Sequence, residues 1–212
     1  MSVGKKAGFI YIYTYMHLYE SFFNKDKKKS QLDWLYIDKS IISQKKENQK
    51  RQLWNDRENI LCKIGMTTKP MVSTRLLEWQ NTCKNPVINL TPDRIEQLIY
   101  AYDTKTKKIN SISTLLTKLE LKKEKPQSRQ ESPLDLLTYK DGGFFIDETS
   151  NLNLSEVENR IHRFLWEKYG KGFIYCYGCD PMGQKRHTEW FHLPIRDLSS
   201  VMRTIDAFCY SG

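Results

Sequence analysis

The sequence predicts a single domain of the α+β class. Its 212 residues are enough for one domain with a full core and marginal for two. The hydrophobic fraction is 39% and the aromatic fraction is 12%, which suffices for a globular core. Runs rich in β-branched and aromatic residues, typical of strands, are interspersed with runs whose apolar residues recur every three or four positions, which is typical of helices.

The first predicted strand covers Gly8–Tyr15, a β-branched and aromatic run that starts at a glycine. Because side chains alternate across a strand, Ile10 and Ile12 fall on one face. The aromatic residues fall on the other face: Phe9, Tyr11, Tyr13 and Tyr15. This pattern predicts a sheet with one side on the core and the other side beside a wet cleft.

A second strand and a helix follow between residues 61 and 83. The apolar residues 61–64 predict a buried strand that Gly65 ends, and Pro70 suits the first turn of a helix. The apolar stripe of that helix comprises Val72, Leu76, Trp79 and Cys83. Arg75 lies at the edge of the stripe. A glycine at a strand end followed by a helix with an arginine suits phosphate binding, although such corners are common.

Two polar stretches separate the predicted core elements. Residues 19–58 are rich in Lys, Asn and Gln, and we interpret them as an inserted loop with a helical part around residues 32–42. A helix is predicted from Thr91 and Pro92 onward, with a further short helix around residues 112–119. Residues 122–133 are rich in Lys, Gln, Ser and Pro and predict disorder. Such charged runs are more often a solvated face than a dedicated DNA contact.

The C-terminal part predicts two short strands and two amphipathic helices. The strands lie around residues 143–146 and 173–175. Ser155 and Glu158 have the spacing of a capping box at the start of a helix that Gly170 ends. The last helix turns its apolar residues inward: Leu198, Val201, Met202, Ile205 and Phe208.

Net charge and cysteine content restrict the class of partner and the compartment. The formal net charge is +9, from 34 Lys and Arg against 25 Asp and Glu. This favours a polyanion as partner, nucleic acid first and an anionic membrane surface second. No apolar run predicts a membrane span or a signal peptide. Five cysteines, an odd number, favour a reducing compartment in which metal ligation or burial is expected rather than disulfides.

Five short motifs, taken in order, are similar to those of one known superfamily. They are Phe9-Ile10-Tyr11, Lys63-Ile64-Gly65, Arg75 on the following helix, Glu158 with His162, and Glu189-Trp190-Phe191. The chain resembles the GIY-YIG nuclease superfamily, in the branch called the bacteriophage T5-type DNA-binding domain, which also occurs in fungal proteins. The resemblance covers about residues 8–15, 60–83 and 143–193. Within the single domain 1–212, it leaves residues 16–59 and 91–140 as two insertions, the second basic and partly disordered.

The resemblance implies a fold and a reaction. The fold would be a small antiparallel sheet of about three strands flanked by helices, and the reaction a one-metal hydrolysis of phosphodiesters. Tyr11 would position or deprotonate the attacking water, and Arg75 would hold the phosphate. Glu158 would bind Mg²⁺, with His162 beside it.

Lys63 departs from the family pattern, because it stands where the superfamily has its second catalytic tyrosine. A lysine can contact phosphate there but cannot act as a phenol. Binding is therefore better supported than cleavage. Each residue also has an ordinary structural interpretation: a packed tyrosine, an edge arginine, a glutamate in a capping box and a satisfied core histidine.

A second group of residues has the spacing of a metal site. Cys176 and Cys179 are separated by two residues, and His187 follows eight positions later, which suits a structural Zn²⁺. The family resemblance suggests Cys83 as the fourth ligand, so the zinc would join the Arg75 helix to the terminal strand. The alternative is a pair of buried or redox-active cysteines.

Three functions follow from these patterns. The first is a DNA-binding GIY-YIG-type domain that acts as a Mg²⁺-dependent endonuclease. The second is a nucleic-acid-binding module without cleavage, and the third is a zinc-stapled protein-interaction domain. DNA is the expected partner, with RNA as the alternative, and no membrane partner is expected. An intracellular and nuclear location follows from that partner alone.

Overall fold

The computed structural model describes residues 6–23, 35–38, 52–53, 58–117, 134–171 and 173–211. These residues form two antiparallel sheets flanked by helices, so the α+β class is confirmed. The strands are β1 (Gly8–Tyr15), β2 (Leu35–Asp38), β3 (Gln52–Leu53), β4 (Asn59–Thr67), β5 (Val87–Asn89), β6 (Tyr139–Lys140), β7 (Gly143–Ile146), β8 (Phe173–Cys176), β9 (Arg186–His187) and β10 (Trp190–Pro194). The helices are α1 (Met16–Glu20), α2 (Val72–Cys83), α3 (Pro92–Thr117), α4 (Leu154–Tyr169) and α5 (Leu198–Ser211), with a 3₁₀ turn at Ile195–Asp197.

The larger sheet is organised around β1. Its strand order is β10-β4-β1-β7-β6, and β5 pairs with the same edge of β1 as β7 does. All of these pairings are antiparallel. The predicted number of about three strands is wrong, because this sheet has six and the smaller sheet has four. The additional strands are mostly two to five residues long, too short to show a periodic pattern.

The two faces of β1 separate two apolar clusters, as the alternation predicted. Ile10 and Ile12 pack with α3, α4 and α5 on one face. The tyrosine face packs against α2 and the smaller sheet. The predicted wet cleft over the tyrosine face is wrong, because Tyr11, Tyr13 and Tyr15 are each 1% exposed.

The smaller sheet has the order β3-β2-β8-β9 and covers part of the tyrosine face. Its strand β2 lies where a helix was predicted around residues 32–42, so that prediction is wrong for residues 35–38. The remainder of that predicted helix lies outside the described residues. Leu35 and Cys176, partners across β2 and β8, are both buried in the cluster that contains the tyrosines.

The segment that begins at Pro92 forms one long helix, whereas the sequence predicted two. Ile95 and Leu98 of α3 are fully buried in the core, which explains the strong apolar period at its start. The predicted disordered stretch 122–133 lies outside the described residues. None of the helices in the described ranges, this one included, is long and apolar enough to cross a membrane.

The N-terminus of α4 is fixed by a capping box two residues earlier than predicted. The Asn153 side chain accepts a hydrogen bond from the backbone N–H of Glu156, and the Glu156 carboxylate accepts one from the N–H of Asn153, each at 2.9 Å. The predicted box with Ser155 and Glu158 is wrong. Capping therefore does not explain Glu158, which lies beyond the first turn.

This capping arrangement can be tested with two alanine variants. Asn153→Ala should lower the free energy of unfolding by about 1 kcal/mol, because it leaves the N–H of Glu156 without its side-chain acceptor. Ser155→Ala should cost clearly less, since Ser155 only donates to Asn153. Urea denaturation of both variants measures the difference, and a larger loss for Ser155→Ala would contradict the observed cap.

Candidate functional site

The Lys63-Ile64-Gly65 motif lies where β10 stops pairing with β4. The register of the two strands ends with Trp190 opposite Lys63, and the Glu189 carbonyl accepts a last hydrogen bond from the N–H of Ile64. Beyond this point, side chains of α4 bind the edge of β4. His162 Nε2 lies 3.0 Å from the Ile64 carbonyl oxygen. The backbone N–H of Met66 lies near the Glu158 carboxylate and lowers its pKa. The end of the sheet edge therefore positions α4.

Gly65 provides the space for Tyr11 on the neighbouring strand. The two residues are direct partners in the β1–β4 register. A Cβ at Gly65 would lie 2.8 Å from Tyr11 Oη and 3.0 Å from Cζ, which is closer than real Cβ atoms approach. The glycine therefore allows the phenol ring to lie across β4, with its hydroxyl at the end of the sheet.

Trp79 connects the predicted site residues, although its place in an apolar stripe predicted only a core residue. Its Nε1–H donates a hydrogen bond to Tyr11 Oη at 2.9 Å. Lys63 Nζ lies 3.6 Å from the centre of its ring, and Arg75 Cζ lies 4.9 Å from it. The sequence could indicate this role only through the chemistry of the side chain: a half-buried indole N–H requires a hydrogen-bond acceptor.

Arg75 lies at the surface beside Tyr11. Its side chain is 35% exposed and forms an ion pair of 2.8 Å with Glu78, one turn further along α2. Glu78 also pairs with Lys69 at 3.0 Å. Burial raises the pKa of Tyr11, and the nearby Arg75 guanidinium opposes that shift. The guanidinium is therefore held next to Tyr11 while remaining accessible to an anion.

Lys63 is covered by its neighbours. The residue is 4% exposed, its ammonium lies on the Trp79 ring, and it forms a 2.8 Å ion pair with Glu189. Burial lowers the pKa of Lys63, and Glu189 opposes that shift. Conversely, Lys63 lowers the pKa of Glu189 against the effect of burial. Lys63 is thus engaged within the protein and does not project into solvent.

Glu158 is a half-buried carboxylate with little compensating charge. Burial, followed by the negative charge of Glu189, raises the pKa of Glu158 to about 7, whereas Lys63 and the N–H of Met66 act in the opposite direction. Tyr11 and Lys63 both lie within electrostatic range of this carboxylate. The arrangement provides a carboxylate oxygen within electrostatic range of the phenol and of Lys63.

His162 lies in the core beneath this site. It is 4% exposed, and its ring packs against Trp166 and Phe191 at centroid distances of 5.6 and 5.3 Å. Burial lowers the pKa of His162, so the ring is neutral at pH 7. Because the Ile64 carbonyl can only accept, Nε2 carries the proton. The structure thus brings Tyr11, Lys63, Arg75 and Glu158 together and places His162 as the anchor of α4.

Three of the predicted zinc ligands also come together. The sulfur atoms of Cys83, Cys176 and Cys179 all lie within 4.8 Å of one another, at the end of α2 and the end of β8. Those of Cys83 and Cys179 are at disulfide distance, which differs from the expectation that disulfides are absent. Gly178 is needed in this turn, because a side chain there would collide with the Cys83 carbonyl.

His187 is not part of the cysteine cluster, so its predicted place as a ligand is not reproduced. It lies opposite Ile174 in the β8–β9 pair, on the same side of the small sheet as Cys176. Its Nε2 atom is buried and has no hydrogen-bond partner among the described residues. The spacing predicted His187 as a third ligand, but among the described residues the three sulfurs come together without it.

The fold and the site define an α+β protein with a polar cluster at the end of its main sheet and a separate cysteine cluster. Over 162 residues the chain is 49% identical to "Uncharacterized protein YPL034W" of Saccharomyces cerevisiae. The match covers 69% of this chain and 98% of the yeast protein. The chain therefore belongs to the same family as that yeast protein. No family model matches the chain, and no solved structure matches it.

The electrostatics of Glu158 predict a pH-dependent stability difference. The folded protein binds a proton at Glu158 up to about pH 7, whereas an unfolded glutamate releases it near pH 4.5. The contribution of Glu158 to stability therefore falls as the pH rises from 5 to 8. Glu158→Gln cannot ionise, so its free energy of unfolding should rise relative to that of wild type as the pH increases. In EDTA, the difference between variant and wild type should be about 1 kcal/mol more favourable to the variant at pH 8 than at pH 5, after allowance for solvent screening. Urea denaturation at both values tests this, and a constant difference would contradict it.

Proposed function

We propose that this chain binds nucleic acid at the cluster of Tyr11, Arg75 and Glu158, and that it is a GIY-YIG-type, Mg²⁺-dependent endonuclease. The observation that supports this most is the convergence of a phenol, a guanidinium and a carboxylate at the end of β1 and β4. These groups come from three separate parts of the chain. Their packing alone would not require all three chemistries at one place.

The phosphate contact is assigned to Arg75. A guanidinium pairs with two phosphate oxygens at once, which fixes the phosphate beside Tyr11. The present partner of Arg75 is Glu78, and an exposed ion pair of this kind contributes little free energy. A phosphate can therefore replace it at low cost. The net charge of +9 adds an attraction that depends on salt concentration.

The donors at the site fit a divalent cation. Glu158 offers a carboxylate oxygen whose pKa is raised by burial and by Glu189, so a cation there would relieve uncompensated charge. Mg²⁺ held by Glu158 would stabilise negative charge on the leaving oxygen during hydrolysis. Tyr11, oriented by Trp79 and Arg75, positions or deprotonates the attacking water. His162 acts by holding α4 on the Ile64 carbonyl.

Binding without cleavage is a second candidate, and Lys63 favours it. This residue replaces the second tyrosine of the superfamily and is enclosed by Glu189 and Trp79. It cannot supply a phenol and does not reach solvent. A site of this kind would keep the phosphate contact of Arg75 and lose the water-activating chemistry. In either case a DNA partner predicts a nuclear location.

We assign the cysteine cluster to a structural Zn²⁺. Three thiolates on a tetrahedral zinc have sulfurs about 3.8 Å apart, given Zn–S bonds of about 2.3 Å. The three sulfurs here lie within 4.8 Å of one another, and the sulfurs of Cys83 and Cys179, which are at disulfide distance, would move apart to bind the ion. His187, with its unpartnered Nε2, would complete the site by a change of side-chain position. A disulfide between Cys83 and Cys179 is the competing state. A zinc-stapled interaction domain would keep this metal but show no salt-sensitive DNA binding.

Nicking of supercoiled plasmid tests the proposed function. Purified protein should nick the plasmid with Mg²⁺ and not with EDTA. Glu158→Gln should lose this activity by at least about 100-fold, because the only carboxylate assigned to the metal is removed.

Arg75→Ala should weaken plasmid retardation about tenfold or more, owing to the loss of the bidentate phosphate contact. Arg203→Ala, which removes the same charge from an exposed position on α5, is the matched control.

The outcomes separate the candidates. Retardation without nicking, sensitive to salt and to Arg75→Ala, would support the binding module. A protein that neither binds nor nicks DNA or RNA would contradict both.

Metal analysis tests the zinc assignment. Protein purified with a reductant should contain about one Zn²⁺ per chain, and Cys176→Ser should lose it because only two thiolates remain. Cys209→Ala, a buried cysteine on α5 outside the cluster, should retain the metal. Zinc-free protein with an intact Cys83–Cys179 disulfide under the same conditions would show that the assignment is wrong.

A further inference from the structure

Trp79 occupies a central place in the candidate site that no motif assigned to it. It lies on α2, one turn after Arg75, and is half-buried. Its N–H contacts Tyr11, and its ring contacts the side chains of Lys63 and Arg75. Tyr13 also lies against it, at a centroid distance of 6.5 Å. One indole thus touches three of the predicted site residues.

The N–H of Trp79 controls the orientation of the Tyr11 hydroxyl. An indole N–H can only donate, so Tyr11 Oη must accept at 2.9 Å. The guanidinium of Arg75 lies near the same oxygen and acts on it through its charge. Because the oxygen accepts from the indole, its own proton must point away from Trp79. The indole N–H and the charge of Arg75 also stabilise the phenolate, which opposes the effect of burial on the pKa of Tyr11.

The ring of Trp79 contacts two cations, Lys63 and Arg75. Lys63 Nζ lies over the ring at 3.6 Å from its centre, a distance typical of a strong cation–π contact. The ion pair with Glu189 holds Lys63 in that place. Lys63 therefore supports the indole from β4, on the same strand as Gly65. This fixes the ring plane and hence the direction of the N–H.

We propose that Trp79 is a positioning residue for Tyr11, supported from beneath by Lys63. The inference rests on the proposed function, in which Tyr11 orients or deprotonates the attacking water. It assigns Lys63 a role different from that of the tyrosine it replaces, because the lysine acts through the indole and not on the substrate. Two contacts carry it: the hydrogen bond from Trp79 to Tyr11 and the cation–π contact from Lys63.

The first test is kinetic and uses Trp79→Phe, which keeps a smaller aromatic ring and removes the N–H donor. Nicking by this variant should fall about tenfold in kcat, with KM for DNA changed less than twofold. Its pH–rate profile should move to higher pH, because the phenolate loses a donor. Trp166→Phe is the matched control, since the Nε1 of Trp166 has no hydrogen-bond partner among the described residues. An unchanged rate and pH profile for Trp79→Phe would overturn the inference.

The second test is structural and does not depend on activity. In ¹⁵N spectra of the otherwise intact protein, Tyr11→Phe should shift one indole N–H resonance and speed its hydrogen exchange at least tenfold. Lys63→Met should broaden or shift the same resonance, because it removes the cation from the ring. If no indole resonance responds to Tyr11→Phe, the inference is wrong. If the indole resonance responds but the wild-type protein does not nick DNA, the endonuclease proposal is wrong. The contact by which Trp79 orients the Tyr11 hydroxyl would still be supported.

Discussion

The phenol ring of Tyr11 lies directly over Gly65, and the candidate site depends on this contact. A Cβ at Gly65 would lie 2.8 Å from Tyr11 Oη, so a side chain at that register position would displace the hydroxyl end of the ring. The contact directs the Tyr11 hydroxyl to the end of the sheet, where Trp79 and Arg75 reach it. The same segment of β4 receives α4 through its free edge, because β10 ends one residue earlier.

Two charged side chains, Lys63 and Glu158, are buried or half-buried near this contact, and few groups offset the cost of removing them from water. Placing Lys63 in the core costs free energy that a single exposed ion pair would not offset. Here Glu189 and the ring of Trp79 act on the ammonium together. Among the described residues no cation forms an ion pair with Glu158, and burial together with the charge of Glu189 raises its pKa. A fold that keeps a half-buried carboxylate with so little compensation retains a group that destabilises it at neutral pH, which is common at functional sites.

Most of the long elements were predictable from the sequence, and the reasons are local. The alternation in β1 and the three- and four-residue spacing in α2 and α4 each specify one buried face. The site could be predicted in part, since Tyr11, Arg75 and Glu158 follow from the motifs. The smaller sheet could not, because a strand such as Gln52–Leu53 is too short to carry a period. The role of Trp79 could not be predicted either. Its spacing indicates only a core residue, whereas its hydrogen bond to Tyr11 depends on the tertiary fold.

The most direct test of the account is a crystal structure of the protein with a short DNA duplex and Ca²⁺, which occupies oxygen sites but usually supports little hydrolysis. The account predicts a backbone phosphate in contact with the Arg75 guanidinium and within reach of Tyr11 Oη. It also predicts the cation on the Glu158 carboxylate. DNA bound on another face, with Arg75 still paired to Glu78 and no cation at Glu158, would contradict the claim that these residues form one phosphodiester site.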